Sequence, residues 1–216
     1  MAESRRYPGY DVLAKWDTPS WNEQTRKVID RRLSLPDEPR FLSREQWQTL
    51  RAVCERIVPQ PDDRPTVPVW SLVDEQLVLD QGDGYREPGL PRLREAWRRG
   101  LDALDAEARA AHGRPFHVLE AAEQDGLLRR AQDGELDNPA WGGMPAKLFF
   151  EKRLLRDIVH AYWSHPTAWS EMGFGGPASP RGYVRLDADR RDSWEARELK
   201  DGDDPAEVYA ENRRVR

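Results

Sequence analysis

The sequence predicts an all-α protein, a compact bundle of about five helices with extended, irregular N- and C-terminal arms. No stretch alternates between apolar and polar residues over the length of a strand, and runs of β-branched residues are absent. Apolar residues instead recur at helical spacing, in segments bounded by caps, glycines and prolines. We expect an N-terminal arm over residues 1–40, a helical domain over 41–164, and an aromatic loop with a charged tail over 165–216.

The first two predicted helices differ in strength. A charge-rich helix from about Ser20 to Leu33 would be marginal alone, because short isolated helices are unstable in water. In the next, FLSREQWQTLRAVCERIVP, Ser43 and Gln46 have the spacing of a capping box, and Pro59 ends the helix. The face predicted to be buried consists of Trp47, Leu50, Cys54 and Ile57.

Three helices are predicted in the middle of the chain, and glycines mark the ends of the first two. Thr66 is predicted to cap a helix that ends where Gly82 and Gly84 supply positive φ angles. The following helices are expected from about Pro91 to Gly113 and from about Leu119 to Ala131.

The last predicted helix of the bundle begins after Gly143 and reaches Trp163. Its apolar positions are numerous enough to predict a central place in the bundle. The face predicted to be buried is Leu148, Leu155, Ile158 and Tyr162, widened by Phe150, Leu154 and Ala161.

Beyond Trp163 the pattern changes to short and irregular structure. Pro166 favours an extended His165 and so ends the helix, after which Thr167 is predicted to cap a single turn that closes at Gly173. From Asp187 onward the chain is dominated by charge and would be disordered alone. The anchors predicted for docking this tail are Trp194 and Tyr209.

Composition excludes several classes of function. The net charge is −5 with acids and bases mixed throughout, whereas a general nucleic-acid binder would carry a basic excess. No run of about 18 apolar residues predicts a membrane span. The single cysteine, Cys54, excludes an intrachain disulfide, a CxxCH haem attachment and an iron–sulfur cluster held by this chain alone. Arg5 and Arg6 are not followed by the apolar stretch of an export signal.

No motif for a cofactor or a catalytic group is visible. The sequence lacks a dinucleotide fingerprint after a strand, a Walker loop and a GxSxG elbow. The glycine-rich stretch GFGGPAS is predicted to be a loop of defined conformation and not a phosphate-binding loop. Asp157 and His160 could supply two metal ligands, but a di-metal bundle needs a second set that is not apparent. The alternative for this histidine and His165 is a capping or core-edge role near the helix C-terminus.

The aromatic content of the irregular segment is its main functional signal. From Tyr162 to Tyr183 the chain reads YWSHPTAWSEMGFGGPASPRGY, and exposed apolar patches of this kind usually mark interaction sites. The alternative is that Trp163, Trp169 and Phe174 fold back on the chain's own helices. The candidate interface residues are Trp163, Trp169, Met172, Phe174, Gly175, Gly176, Pro177, Pro180, Tyr183 and Trp194.

Three stretches of the sequence resemble those of a known family. DIVHAYWSHPTAWSEMGFGGPASPRGY, followed by WEARE, resembles the C-terminal signature of the gluconate 2-dehydrogenase subunit 3 family. FLSREQWQTLRAVCERIVPQ is similar to its opening element, and RPFHVLEAAEQDGLLRRAQDG to its middle element. The resemblance covers roughly residues 41–200.

The resemblance implies a non-catalytic small subunit without a cofactor of its own. Its partner in the family is a large FAD-containing dehydrogenase of the glucose–methanol–choline (GMC) type, which oxidises a sugar, sugar acid or polyol and passes electrons to a cytochrome or another acceptor. Family members often carry the export signal for the complex. Because none is found here, we expect a cytoplasmic protein, or a periplasmic one if the partner carries the signal. Two alternatives remain open: a metal-dependent helical enzyme using Asp157 and His160, and a general helical adaptor.

Overall fold

The computed structural model describes residues 6–62, 64–80, 82, 84, 87–182 and 190–215, and within them the fold is all-α, as predicted. Residues 36–162 form one compact unit, here called the helical unit. Residues 1–35 and 163–216 form a second, here called the terminal unit. The two chain ends, which the sequence analysis treats as separate segments, therefore share one unit.

The helices follow the predicted order with small changes of boundary. After a 3₁₀ turn at Val12–Lys15, the elements are α1 (Glu23–Leu33), α2 (Arg44–Ile57), α3 (Val69–Leu79), α4 (Leu93–His112), α5 (Ala121–Asp133), α6 (Ala146–Phe149), a π-helical segment (Phe150–Leu155), α7 (Arg156–Trp163), α8 (Pro166–Met172) and α9 (Pro205–Asn212). Helix α9 was not predicted. No helix in the described part of the chain is long and apolar enough to cross a membrane.

The capping box predicted for α2 is confirmed. The Ser43 hydroxyl accepts a hydrogen bond from the Gln46 amide at 3.2 Å, and the Gln46 side chain accepts one from the Ser43 amide at 3.1 Å. Trp47, Leu50 and Cys54 are buried, and burial raises the pKa of the Cys54 thiol. This cysteine is thus a core residue of the helical unit.

The predicted start of α3 is wrong, whereas its end lies at the first residue of the predicted stretch DQGDG. Pro68, not Thr66, occupies the N-cap position, and no side chain caps the first turn. At the other end Asp80 adopts the left-handed conformation with φ of 50°, so the helix stops before Gly82 and Gly84. Aspartate tolerates this conformation better than most residues because its short polar side chain bonds locally.

A close contact between α4 and α6 lies in the core of the helical unit. The ring of Phe149 is edge-on to Trp97 at 5.7 Å between centroids and lies directly over Gly100. Both aromatic side chains are fully buried. Gly100 is therefore required for its small size, since a larger residue would collide with the Phe149 ring.

A π-helical segment keeps one face of the α6–α7 region inward. The buried residues from α6 to α7 recur at a spacing of four. They are Phe149, Arg153, Asp157 and Ala161, with Phe150, Leu154, Ile158 and Tyr162 beside them. A straight α-helix has about 3.6 residues per turn and would rotate such a stripe away from the core. The wider π turn compensates. Leu155, which a 3.6-residue period places on the buried face, is instead 43% exposed.

The terminal unit has an apolar core of its own, drawn from both chain ends. Its buried members are Tyr10, Val12, Trp21, Ile29, Trp169, Ala196 and Val215, with Tyr7, Leu13 and Trp16 packed against them. The unit therefore buries apolar area that neither end could bury alone.

At α9 the charged tail docks through residues other than the predicted Tyr209. Val208 is fully buried on α9, whereas Tyr209 is 52% exposed. The Asn212 side chain, 1% exposed, donates to the carbonyls of Pro8 and Arg197, each at 2.9 Å, and accepts from the Arg197 amide at 2.7 Å. A buried amide with these bonds satisfied joins the tail to the N-terminal arm.

Gly100→Ala is expected to lower the free energy of unfolding by about 1–3 kcal/mol, because overpacking a rigid core has this effect. A Cβ atom at this position would lie 2.1 Å from the Phe149 ring. Chemical denaturation measures the change. Gly126→Ala on α5 is the matched control: its Cβ meets open space, so it should raise stability by about 0.5–1 kcal/mol. Equal destabilisation by the two substitutions would contradict the packing argument.

Candidate partner-binding surface

The structure divides the candidate interface residues between surface and core. Trp163, Met172 and Phe174 are 41%, 37% and 40% exposed. Pro177 and Pro180 are also exposed, and Gly175 is half-buried. Tyr183 lies outside the described residues. We call Trp163, Met172 and Phe174 the exposed trio.

Trp169 is not on the surface, which corrects its assignment as an interface residue. It is 4% exposed and belongs to the apolar core of the terminal unit. Its indole N–H donates to the Trp163 carbonyl at 2.7 Å, and its ring meets Phe174 edge-on at 5.6 Å between centroids. Trp169 thus supports two members of the exposed trio from beneath.

Gly176 is also buried, which corrects its assignment to the interface. Its φ is +71°, and a Cβ atom there would lie 3.0 Å from the Trp169 ring. Glycine is required here by both the backbone conformation and the close approach.

Trp194 is half-buried and packs within the terminal unit. The Arg181 guanidinium lies 4.6 Å from the centre of its ring, within the range of a cation–π interaction. The buried ammonium group of Lys15 donates to its carbonyl, and burial lowers the pKa of Lys15 to about 8. Trp194 therefore fastens the tail, as the sequence predicts, by contacts inside the chain.

Helix α8 carries Met172 and lies between Trp163 and Phe174, and His165 caps its start. His165 has the predicted extended conformation, but its own ring is the cap: Nδ1 accepts from the Thr167 amide at 3.3 Å. Thr167, predicted as the cap, lies inside the first turn. Pro166 occupies the first helical position, where its missing N–H is harmless. Gly173 closes the helix in the left-handed conformation, as predicted.

The electrostatics at this cap keep His165 neutral. The pKa of His165 is lowered to about 4, mainly by burial and in part by the nearby Arg32 guanidinium, while a hydrogen bond with the Arg32 backbone opposes both effects. Arg32 donates to the Ser164 carbonyl at 2.6 Å, and its guanidinium lies 5.6 Å from the centre of a Trp169 ring. Helix α1 is thereby joined to the start of α8.

Two exposed apolar residues on α1 were missed by the sequence analysis. Val28 and Leu33 are 46% and 41% exposed, and Val28 lies one turn before Arg32. The signal was present in the stretch KVIDRRL, where three apolar residues occur on a short helix but only Ile29 is buried. Because charged residues flank these apolar positions, the sequence analysis interpreted the helix as part of a solvated arm.

The pair proposed as metal ligands has two different environments. Asp157 is 3% exposed and accepts hydrogen bonds from the Trp97 indole at 3.1 Å and from Arg156 at 3.2 Å. Burial raises the pKa of Asp157. His160 is exposed. Among the described residues, no three His, Cys, Asp or Glu side chains are grouped to hold a metal ion.

An open groove of about 720 Å³ on the helical unit is lined by structural arginines. Arg94 donates to the carbonyls of Leu77 and Val78 at 2.7 Å each and so caps the end of α3. The Arg98 guanidinium lies over the Phe41 ring at 4.0 Å. These side chains serve the packing of the unit, and the exposed trio is the stronger candidate site.

Comparison with known proteins gives one family. The model of the family described as gluconate 2-dehydrogenase subunit 3 matches residues 44–176, more than half of the chain. No curated protein and no solved structure gives a significant match. The matched range contains all three residues of the exposed trio but excludes the N-terminal arm and the tail.

Stability is expected to fall between pH 6.5 and about 4 through His165. Because its folded-state pKa lies below the usual value of 6.5, the unfolded chain binds this proton more readily. The contribution is therefore complete above pH 6.5 and is lost as the pH falls toward 4, by up to about 3 kcal/mol. Denaturation curves at several pH values measure it. His165→Asn keeps a capping side chain but cannot titrate in this range; a wild-type profile parallel to that of this variant would contradict the assignment.

Proposed function

The chain belongs to the gluconate 2-dehydrogenase subunit 3 family, and from this premise we propose that it is a non-catalytic small subunit of an FAD-dependent dehydrogenase. In this proposal it binds and stabilises a large subunit of the GMC type. The large subunit holds the FAD and oxidises the sugar, sugar acid or polyol. Electrons leave through the large subunit to a cytochrome or another acceptor.

The observation that carries the proposal is the exposed trio. Trp163, Met172 and Phe174 lie within 12 residues of chain, and each exposes more than a third of its surface. Tryptophan and methionine are enriched in the cores of protein interfaces, and large apolar side chains in buried interface pockets contribute most of the binding energy. A protein-binding surface accounts for them better than a metal-dependent catalytic site, because among the described residues no three His, Cys, Asp or Glu side chains are grouped to hold a metal ion.

Two positions of the trio are held in place before any partner binds. The Trp169 indole bonds to the Trp163 backbone carbonyl, the Trp169 ring packs against the Phe174 ring, and the Phe174 amide donates to the Trp169 carbonyl at 2.9 Å. Side chains that are already ordered lose less entropy on association, which favours tight binding. This supports a stable subunit contact over a transient one.

Replacing the trio is expected to weaken capture of the large subunit by at least about a hundredfold, since each truncated anchor removes about 1–2 kcal/mol or more. The variant is Trp163→Ala, Met172→Ala and Phe174→Ala combined. The affinity-tagged chain is expressed in its native host, and the co-purified protein is identified by mass spectrometry and its flavin by absorbance.

The matched control replaces three exposed apolar residues of the helical unit: Leu79→Ala, Val118→Ala and Leu155→Ala, which are 39%, 46% and 43% exposed in the wild type. We expect this variant to capture the flavoprotein as the wild type does. Equal loss from both variants would contradict the assignment of the surface. Capture of a protein without flavin by the wild-type chain would favour the general adaptor and overturn the proposed function.

A further inference from the structure

The segment that follows α8 depends on the N-terminal arm for its hydrogen bonds. Residues 170–181 contain three glycines and two prolines, and beyond α8 they form no regular element of their own. The Ser179 amide donates to the Ser20 carbonyl at 2.9 Å. The Ser170 hydroxyl accepts from the Val12 amide at 3.0 Å. Partners for this segment therefore come from residues more than 150 positions earlier in the chain.

Trp21 and Asn22 make the central contacts between the two stretches. The Trp21 indole donates to the Gly175 carbonyl at 3.2 Å, and the Asn22 amide donates to the Ser179 hydroxyl at 3.0 Å. Trp21 is 1% exposed, and a Cβ atom at Gly176 would lie 3.2 Å from its ring. The loop thus lies directly on the Trp21 ring, with glycine at the point of closest approach.

The arm has already used its apolar side chains within the chain. Tyr10, Val12 and Trp21 are all buried in the core of the terminal unit. A segment whose large side chains are buried in this way has little apolar surface left for a partner. Residues 10–22 are therefore not expected to supply apolar contacts to the large subunit.

We propose that residues 10–22 act as an internal template: they hold residues 170–181, and with them Met172 and Phe174, in the shape that binds the partner, without contacting the partner themselves. This rests on the proposed function for the identity of the partner. The physical reason is preorganisation, because a loop rich in glycine would otherwise lose considerable conformational entropy on binding.

The test combines Trp21→Phe with Asn22→Ser. The first substitution removes the indole donor and keeps an aromatic ring. The second keeps a hydroxyl that can cap α1, as the Asn22 side chain does through the Thr25 amide at 2.9 Å, but is too short to reach Ser179. Hydrogen exchange of the isolated chain should show amides of residues 174–182 exchanging about tenfold faster or more.

Two controls separate the template from other effects. Trp47→Phe trims a buried tryptophan of α2 in the helical unit, and it should leave exchange in residues 174–182 unchanged. Asp17→Arg reverses a charge on an exposed arm position, and it should leave capture of the flavoprotein unchanged. Weaker capture by Asp17→Arg would overturn the statement that the arm does not contact the partner.

Exchange and capture then give distinct outcomes. Faster exchange together with at least tenfold weaker capture of the flavoprotein supports the template. Unchanged exchange in the double variant overturns it, whatever the partner. Faster exchange with undiminished capture overturns the link between loop shape and binding. If the wild-type chain captures no flavoprotein, the proposed function fails, while the exchange measurement still decides whether the arm orders the loop.

Discussion

Pairing of backbone polar groups is the constraint on which the terminal unit depends. A stretch rich in glycine and proline forms few hydrogen bonds within itself, yet buried amides and carbonyls must be paired. Residues 163–182 meet this requirement through the N-terminal arm, as in the bond from Arg32 to Ser164 and the bond from Ser179 to Ser20. Two segments at opposite ends of the sequence consequently fold as one unit.

This pairing determines which aromatic residues face outward. Once Trp169 packs with Trp21 and the other members of the core, the turn at Gly173 directs Met172 and Phe174 toward solvent. Trp163 lies at the end of α7, where its carbonyl accepts a hydrogen bond from the Trp169 indole. Buried Trp169 therefore holds the backbone at Trp163 and the ring of Phe174, so the core beneath the surface supports both of these positions.

Local features of the fold could be predicted from sequence, whereas features set by distant residues could not. The Ser43–Gln46 box and the Gly113 cap depend on residues within one turn, and both are where the pattern places them. Leu155 was misplaced because a 3.6-residue period does not anticipate a π turn. The burial of Trp169 could not be foreseen, since it shares a core with Trp21, which lies more than 140 positions earlier in the chain.

The limits of the family match separate two kinds of residue in the terminal unit. The match ends at Gly176 and begins at Arg44, so it includes the exposed trio and Trp169 but not the residues that satisfy the loop. Trp21, Asn22 and Val215, which complete the core and its hydrogen bonds, are outside it. The proposed binding surface thus lies inside the matched range, while contacts that hold it in place come from segments outside that range. If the arm acts as the template proposed above, substitutions in the arm would alter this surface without changing any residue inside the matched range.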